Sequence, residues 1–202
     1  MRRDDRGFTL LELLIALAIV GALLTVAFGG LRVAAAAWRQ GEDRAEAHQH
    51  ARGMAIVLAR ALGAAYPYRA PRGLAPDATL LFDGTERRIE FVSAATPFPF
   101  AVPVAFTAVV ISLEEGERPG LAVRQRALPN REPFTEAPVV FHDPTVTSLA
   151  FAYLDADGTW RESWDGAAEN ATPRAIRLTL GISLAGRAQP LPPLTVSLRI
   201  TP

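Results

Sequence analysis

Residues 6–24 read Arg6-Gly7-Phe8-Thr9-Leu10-Leu11-Glu12 and then LLIALAIVGALL as far as Leu24. One acid interrupts an otherwise uncharged run. Between Phe8 and Leu31 the single ionisable side chain is Glu12, and Leu13 to Leu31 gives nineteen residues without a charge. As a helix rising about 1.5 Å per residue, such a run matches the thickness of a bilayer hydrocarbon core, for which about 20 apolar residues suffice. Arg2, Arg3 and Arg6 precede the run, and Arg32 and Arg39 follow it. The positive-inside rule puts the N-terminus in the cytoplasm, although Asp4 and Asp5 dilute that signal.

Three processing routes fit a segment of this kind. A secretory signal peptide would be cut among the small residues Ala34–Ala37. A plain single-span anchor would not be cut. In the third route the cut falls before the apolar run. Glu12 separates them, because a carboxylate within an apolar span costs about 2.5–3.5 kcal/mol on insertion scales. Neither a signal peptide nor a plain anchor has a use for that cost.

The stretch RGFTLLELLIALAIVGALL resembles the N-terminus of the type IV pilin and pseudopilin superfamily. The resemblance implies that a membrane-embedded prepilin peptidase cuts after Gly7 on the cytoplasmic side and N-methylates the new first residue, Phe8. The span then stays in the mature protein, and Glu12 becomes its fifth residue, matching the family's glutamate. An unpaired carboxylate in an apolar setting is costly, and pairing lowers the cost. Cleavage creates an amine at Phe8 that can meet Glu12 of a neighbouring subunit, so an acid that is uncomfortable alone is satisfied in a filament.

Beyond Leu31 helical character extends to about Ala65, since no proline precedes Pro67. Residues 38–53 are mostly polar and read as a solvated helix. Met54, Val57, Leu58, Ala61, Leu62 and Ala65 then form one apolar stripe at helical spacing, the mark of a face packed on a sheet. Gly21, Gly29, Gly30, Gly41 and Gly53 weaken the helix, with bends expected near Gly29–Gly30 and Gly41.

From residue 66 prolines crowd in and short β-prone runs alternate with turn signals. Strands are expected at Thr79–Phe82, Arg88–Ser93, Val104–Leu113, Leu121–Ala127, Val139–Phe141, Val146–Leu154, Thr159–Trp164, Ala175–Leu184 and Leu194–Ile200. Asp157-Gly158 signals a hairpin turn. The fold class is therefore α+β and pilin-like: a long N-terminal helix with a largely antiparallel β head. The expected divisions are a leader at 1–7, a transmembrane and assembly helix at 8–31, its continuation at 32–65 and a periplasmic head at 66–202.

The segment Asp157-Gly158-Thr159-Trp160, then Trp164, followed by the proline-led run Thr172-Pro173-Arg174-Ala175-Ile176-Arg177-Leu178, is similar to the J-type minor pseudopilin of type II secretion. That likeness covers the N-terminal 25 residues and, more loosely, 153–184. It implies a structural subunit of the pseudopilus tip complex, anchored in the bacterial inner membrane with its head in the periplasm. Implied partners are I-type and K-type minor pseudopilins, the G-type major pseudopilin, the prepilin peptidase and membrane lipid. A PilW-like minor pilin of a type IV pilus is the competing branch.

Composition excludes other classes. Basic and acidic residues number 21 each, which argues against nucleic acid as a partner. The chain has no cysteine and no lysine, so thiol and amine chemistry are closed to it. No hydrolase, zinc-protease or phosphate-loop motif occurs, and neither a catalytic residue nor a cofactor or metal is expected. His48 and His50, two apart on a helix, do not share a face and read as solvated. Asp155-Ala156-Asp157-Gly158 starts like a calcium loop but has Trp160 and Gly166 where an EF-hand needs glycine and glutamate. Trp160 and Trp164 would share one face if their strand were regular.

Overall fold

The computed structural model describes residues 9–101, 103–135, 137–184 and 187–198. The expected leader and Phe8 lie outside the described residues. The chain divides into two compact units, residues 1–48 and 49–202. Helix α1, Leu10–Gly63, contributes to both and is unbroken through all five of its internal glycines. It ends where Ala64 and Ala65 donate back to the carbonyls of Arg60 and Leu62, two residues before Pro67.

In the first unit the apolar side chains of α1 are exposed, from Leu10 at 78% to Trp38 at 78%. In the second unit the same helix is amphipathic in use. Ala51, Met54, Leu58, Ala61 and Leu62 are buried, as the apolar stripe requires.

Thirteen strands follow among the described residues, and every pairing is antiparallel. Strands β1 (Arg69–Ala70) and β2 (Thr79–Leu80) pair with each other. A six-stranded sheet contains β3 (Phe82–Gly84), β4 (Arg88–Ser93), β5 (Thr107–Glu114), β6 (Gly120–Ala127), β7 (Val139–Asp143) and β10 (Trp164–Asp165), in the order β10-β3-β4-β5-β6-β7. The second sheet is built on β8 (Val146–Leu154) and β11 (Ala175–Leu184). Strand β9 (Trp160–Arg161) borders β8, whereas β12 (Arg187–Pro190) and β13 (Leu194–Ser197) lie end to end along the far edge of β11. A four-residue helix, α2 (Gly166–Glu169), is capped by the Asp165 carboxylate, which accepts from the amides of Ala167 and Ala168.

The pleat of the six-stranded sheet explains its two covered faces. Ile89, Phe91 and Ser93 share one side of β4. Ser93 marks it as the helix side, because its hydroxyl donates to the Ala61 carbonyl at 3.0 Å. The opposite side carries Val92, Ala108 and Val110, which pack with Leu81 and Phe134 and are fringed by Tyr68, Phe106 and Leu128. With both faces covered, β5 reads as a continuous apolar run rather than an alternating one.

Tyr153 of β8 joins the two sheets. Its ring stands edge-on to Phe82 at 6.4 Å, and its hydroxyl donates to the Thr85 carbonyl at 2.9 Å. Burial raises the pKa of that phenol. Gly84 makes the approach possible, since a Cβ there would overlap the Tyr153 ring and hydroxyl.

Some expectations need correction. The run Thr159–Trp164 is not one strand. Trp160 pairs with Leu154 in the second sheet and Trp164 with Gly84 in the first, so the two indoles share no face. Trp164 is buried and its Nε1 donates to the Ala171 carbonyl, whereas Trp160 lies under the Arg177 guanidinium at 4.0 Å. Thr79–Phe82 likewise divides between β2 and β3.

Candidate assembly site

The N-terminal end of α1 carries the candidate site. Gly7 and Phe8 lie outside the described residues, and Glu12 stands in the first turn of the helix. A carboxylate is favoured there by the unsatisfied amides and the positive end of the helix dipole. Thr9 and Glu12 hold each other reciprocally. The Glu12 amide donates to Thr9 Oγ1 at 3.3 Å, and the Thr9 amide and hydroxyl both donate to Glu12 Oε2, at 3.2 and 3.3 Å. This is a capping box.

The arrangement corrects the picture of a wholly unpaired acid. Glu12 has a hydrogen-bond partner in its own chain, Thr9, and among the described residues no cation joins it. Sequence reasoning missed Thr9, yet the signal was present: threonine, two residues, then glutamate, directly before an apolar run. Behind this box, Leu10–Glu42 is long and apolar enough to cross a membrane, and none of its most apolar window is buried within the chain. The backbone stays satisfied inside the segment by the helix itself, as a bilayer demands.

A second polar arrangement ties α1 to the head within the second unit. His50 Nε2 lies 2.6 Å from Asp143 Oδ2 at the end of β7. His50 is half exposed, whereas Asp143 is 4% exposed. The other Asp143 oxygen accepts from the Thr145 amide at 2.9 Å and hydroxyl at 2.6 Å. Burial alone would raise the Asp143 carboxyl, but the Thr145 hydroxyl, His50 and the Thr145 amide together hold it below the ordinary carboxylate value. The expectation of a purely solvated His50 is therefore corrected.

The loop with the calcium-like opening has a different use for its first acid. Asp155 Oδ1 accepts from the amides of Thr159 and Asp157, and Oδ2 accepts from Arg161. These bonds, the Thr159 amide first, lower its pKa. Gly158, at φ 85°, completes the turn between β8 and β9 that Asp157-Gly158 announces.

Comparison with known families agrees with this architecture. A family model described as "Prokaryotic N-terminal methylation motif" matches residues 2–28. A second, "Type II secretion system (T2SS), protein J", matches residues 29–191. No curated protein sequence matches the chain. The J likeness thus extends through the middle of the chain, well beyond 153–184, and favours the secretion branch over a type IV pilus minor pilin. Members of this family are structural pseudopilins, not enzymes, so pseudopilus partners and prepilin peptidase processing come with it. A head of antiparallel sheets behind an exposed apolar helix, joined to these two matches, means that the chain belongs to the type II secretion system protein J family.

Proposed function

We propose that the chain is cut between Gly7 and Phe8, N-methylated at Phe8, and assembled into the pseudopilus tip complex through Glu12. The match of the methylation motif to residues 2–28 supports this reading, because that stretch contains Gly7, Phe8 and Glu12 at the start of the apolar run. The divisions follow: a leader at 1–7, a membrane helix at 8–31, its continuation at 32–65 and a head at 66–202. The N-terminus faces the cytoplasm and the head the periplasm. I-type and K-type minor pseudopilins and the G-type major pseudopilin are the partners, and membrane lipid surrounds the subunit before assembly.

Glu12 acts in two states. In the isolated subunit one oxygen, Oε2, caps the subunit's own helix. Among the described residues Oε1 accepts no hydrogen bond, and it is the oxygen offered to the Phe8 amine of a neighbour. A charge-assisted bond of that kind in a water-poor setting favours the assembled state and fixes axial register.

Mass spectrometry of the mature N-terminus tests the reading. A chain beginning at N-methylated Phe8 is expected, whereas one that retains Met1, or is cut near Ala36, overturns it. The Glu12→Ala variant should insert and be cleaved but enter the pseudopilus poorly. Co-purification with I-type and K-type chains tests the partner assignment separately.

A further inference from the structure

We propose that Trp38, with Arg32 and Arg39, forms a lipid-headgroup anchor on α1 at the membrane face opposite Glu12. The inference rests on reading α1 as a membrane span. The uncharged run Leu13–Leu31 is centred on Ala22. A hydrocarbon core about 30 Å thick covers about ten helical residues on either side of that centre. Glu12 and Arg32 then fall at its two edges together. Trp38 lies about 24 Å from the midplane along the helix, against a half-thickness of about 20–22 Å with headgroups included. A helical side chain leans toward the N-terminus, so the indole covers the turn below its own Cα, within the headgroup layer.

Three observations make lipid the occupant. Trp38 is 78% exposed, and Leu31, two turns below it on the same helix face, is 65% exposed, so the described residues leave this collar uncovered. Arg39 folds back along the helix, its Nε donating to the Ala35 carbonyl at 3.3 Å, which turns a cation toward the span side. Arg32 and Arg39 complement lipid phosphates, and the collar is continuous with the span. An amphipathic ring flanked by arginines suits the interface better than either the hydrocarbon core or water.

The test uses the full chain in vesicles of phosphatidylethanolamine and phosphatidylglycerol. The emission difference between the parent and Trp38→Phe isolates one of the three tryptophans without touching the head. Severalfold stronger quenching by a headgroup nitroxide than by one at the acyl-chain end is expected. Stronger quenching from the chain end, or access to aqueous iodide with no lipid quenching, overturns the anchor. Shielding from all three quenchers means another protein chain covers the collar, and also overturns it. Flotation with the vesicles after a carbonate wash separates the premises. A chain that floats but fails the quenching test loses the anchor and keeps the span, and one that does not float loses both.

Discussion

The two ends of α1 treat leucine in opposite ways. Leu17 is 73% exposed and Leu62 is 0% exposed, yet both sit on one unbroken helix. Burial inside the chain turns apolar area into folding stability, at about 25 cal/mol per Å². Apolar area left uncovered by the chain asks for a cover from outside, either lipid or other subunits. The first unit is therefore built for its surroundings and the second for itself, and substitutions should divide along the same line.

Leu62→Ala should give the largest effect, a loss of about 2–5 kcal/mol from the stability of the head, because it empties a fully buried site. Leu17→Ala should leave head stability unchanged. Denaturant unfolding of the detergent-solubilised full chain, followed by tryptophan emission, compares them. Equal losses at the two positions would break the division.

Gly84→Ala should rank second, at about 1–3 kcal/mol, because the added carbon meets Tyr153 where the sheets join. Combining it with Tyr153→Phe should recover part of that loss, since one of the overlapping atoms is removed. A thermal midpoint for Gly84→Ala equal to the parent's would show that the junction between the sheets can yield.

Much of this was legible from residue pattern. The expected bounds of β4, β8 and β11 coincide with those found, because long β-branched and alternating runs settle strand identity locally. The buried stripe Met54, Leu58, Ala61, Leu62 was legible for the same reason, a clean helical period. Pairing decisions were not. Trp160 and Trp164 belong to different sheets: Trp160 joins its hairpin neighbour β8, whereas Trp164 is drawn to β3 from far along the chain. The second edge partner of β11, β12, follows from a hairpin that alternation alone does not announce. At the candidate site, Glu12 stood out by its charge, whereas Thr9 shows only through its spacing to Glu12, a quieter signal than a lone acid in an apolar run. His50 was missed because its acid lies 93 residues away.

The His50–Asp143 contact sharpens the comparison at the helix turn where the second unit begins. The folded Asp143 carboxyl has a lowered pKa, while in the unfolded chain it titrates near the ordinary value of about 3.9. The folded state thus binds fewer protons, so the contribution is present above that value and lost as pH falls through the lower folded pKa. Asp143→Asn should cost about 1–2 kcal/mol at neutral pH and flatten the acid limb of the stability curve. His50→Ala should move the acid limb toward higher pH, since His50 is one of the groups that hold the carboxyl down. Stability profiles of the three proteins between neutral and strongly acid pH provide the check. An Asp143→Asn profile parallel to the parent's would remove this contact from the account.

The smallest effect should come from Thr9→Ala, and it should be confined to the first unit. Removing the hydroxyl ends two of the three bonds in the capping box and costs about 1 kcal/mol at the start of the helix. Amide exchange at Glu12 in micelles should quicken severalfold, while the unfolding of the head stays as in the parent. Thr9→Ser, which keeps the hydroxyl, should restore protection. The variant also separates two roles of Glu12. If capping merely holds the carboxylate in place for a neighbour's amine, Thr9→Ala should weaken assembly mildly and Glu12→Ala strongly. If the cap instead competes with that amine for the carboxylate, Thr9→Ala should assemble at least as well as the parent. Unchanged exchange in Thr9→Ala would remove the box itself, leaving Glu12 to be explained by its charge alone.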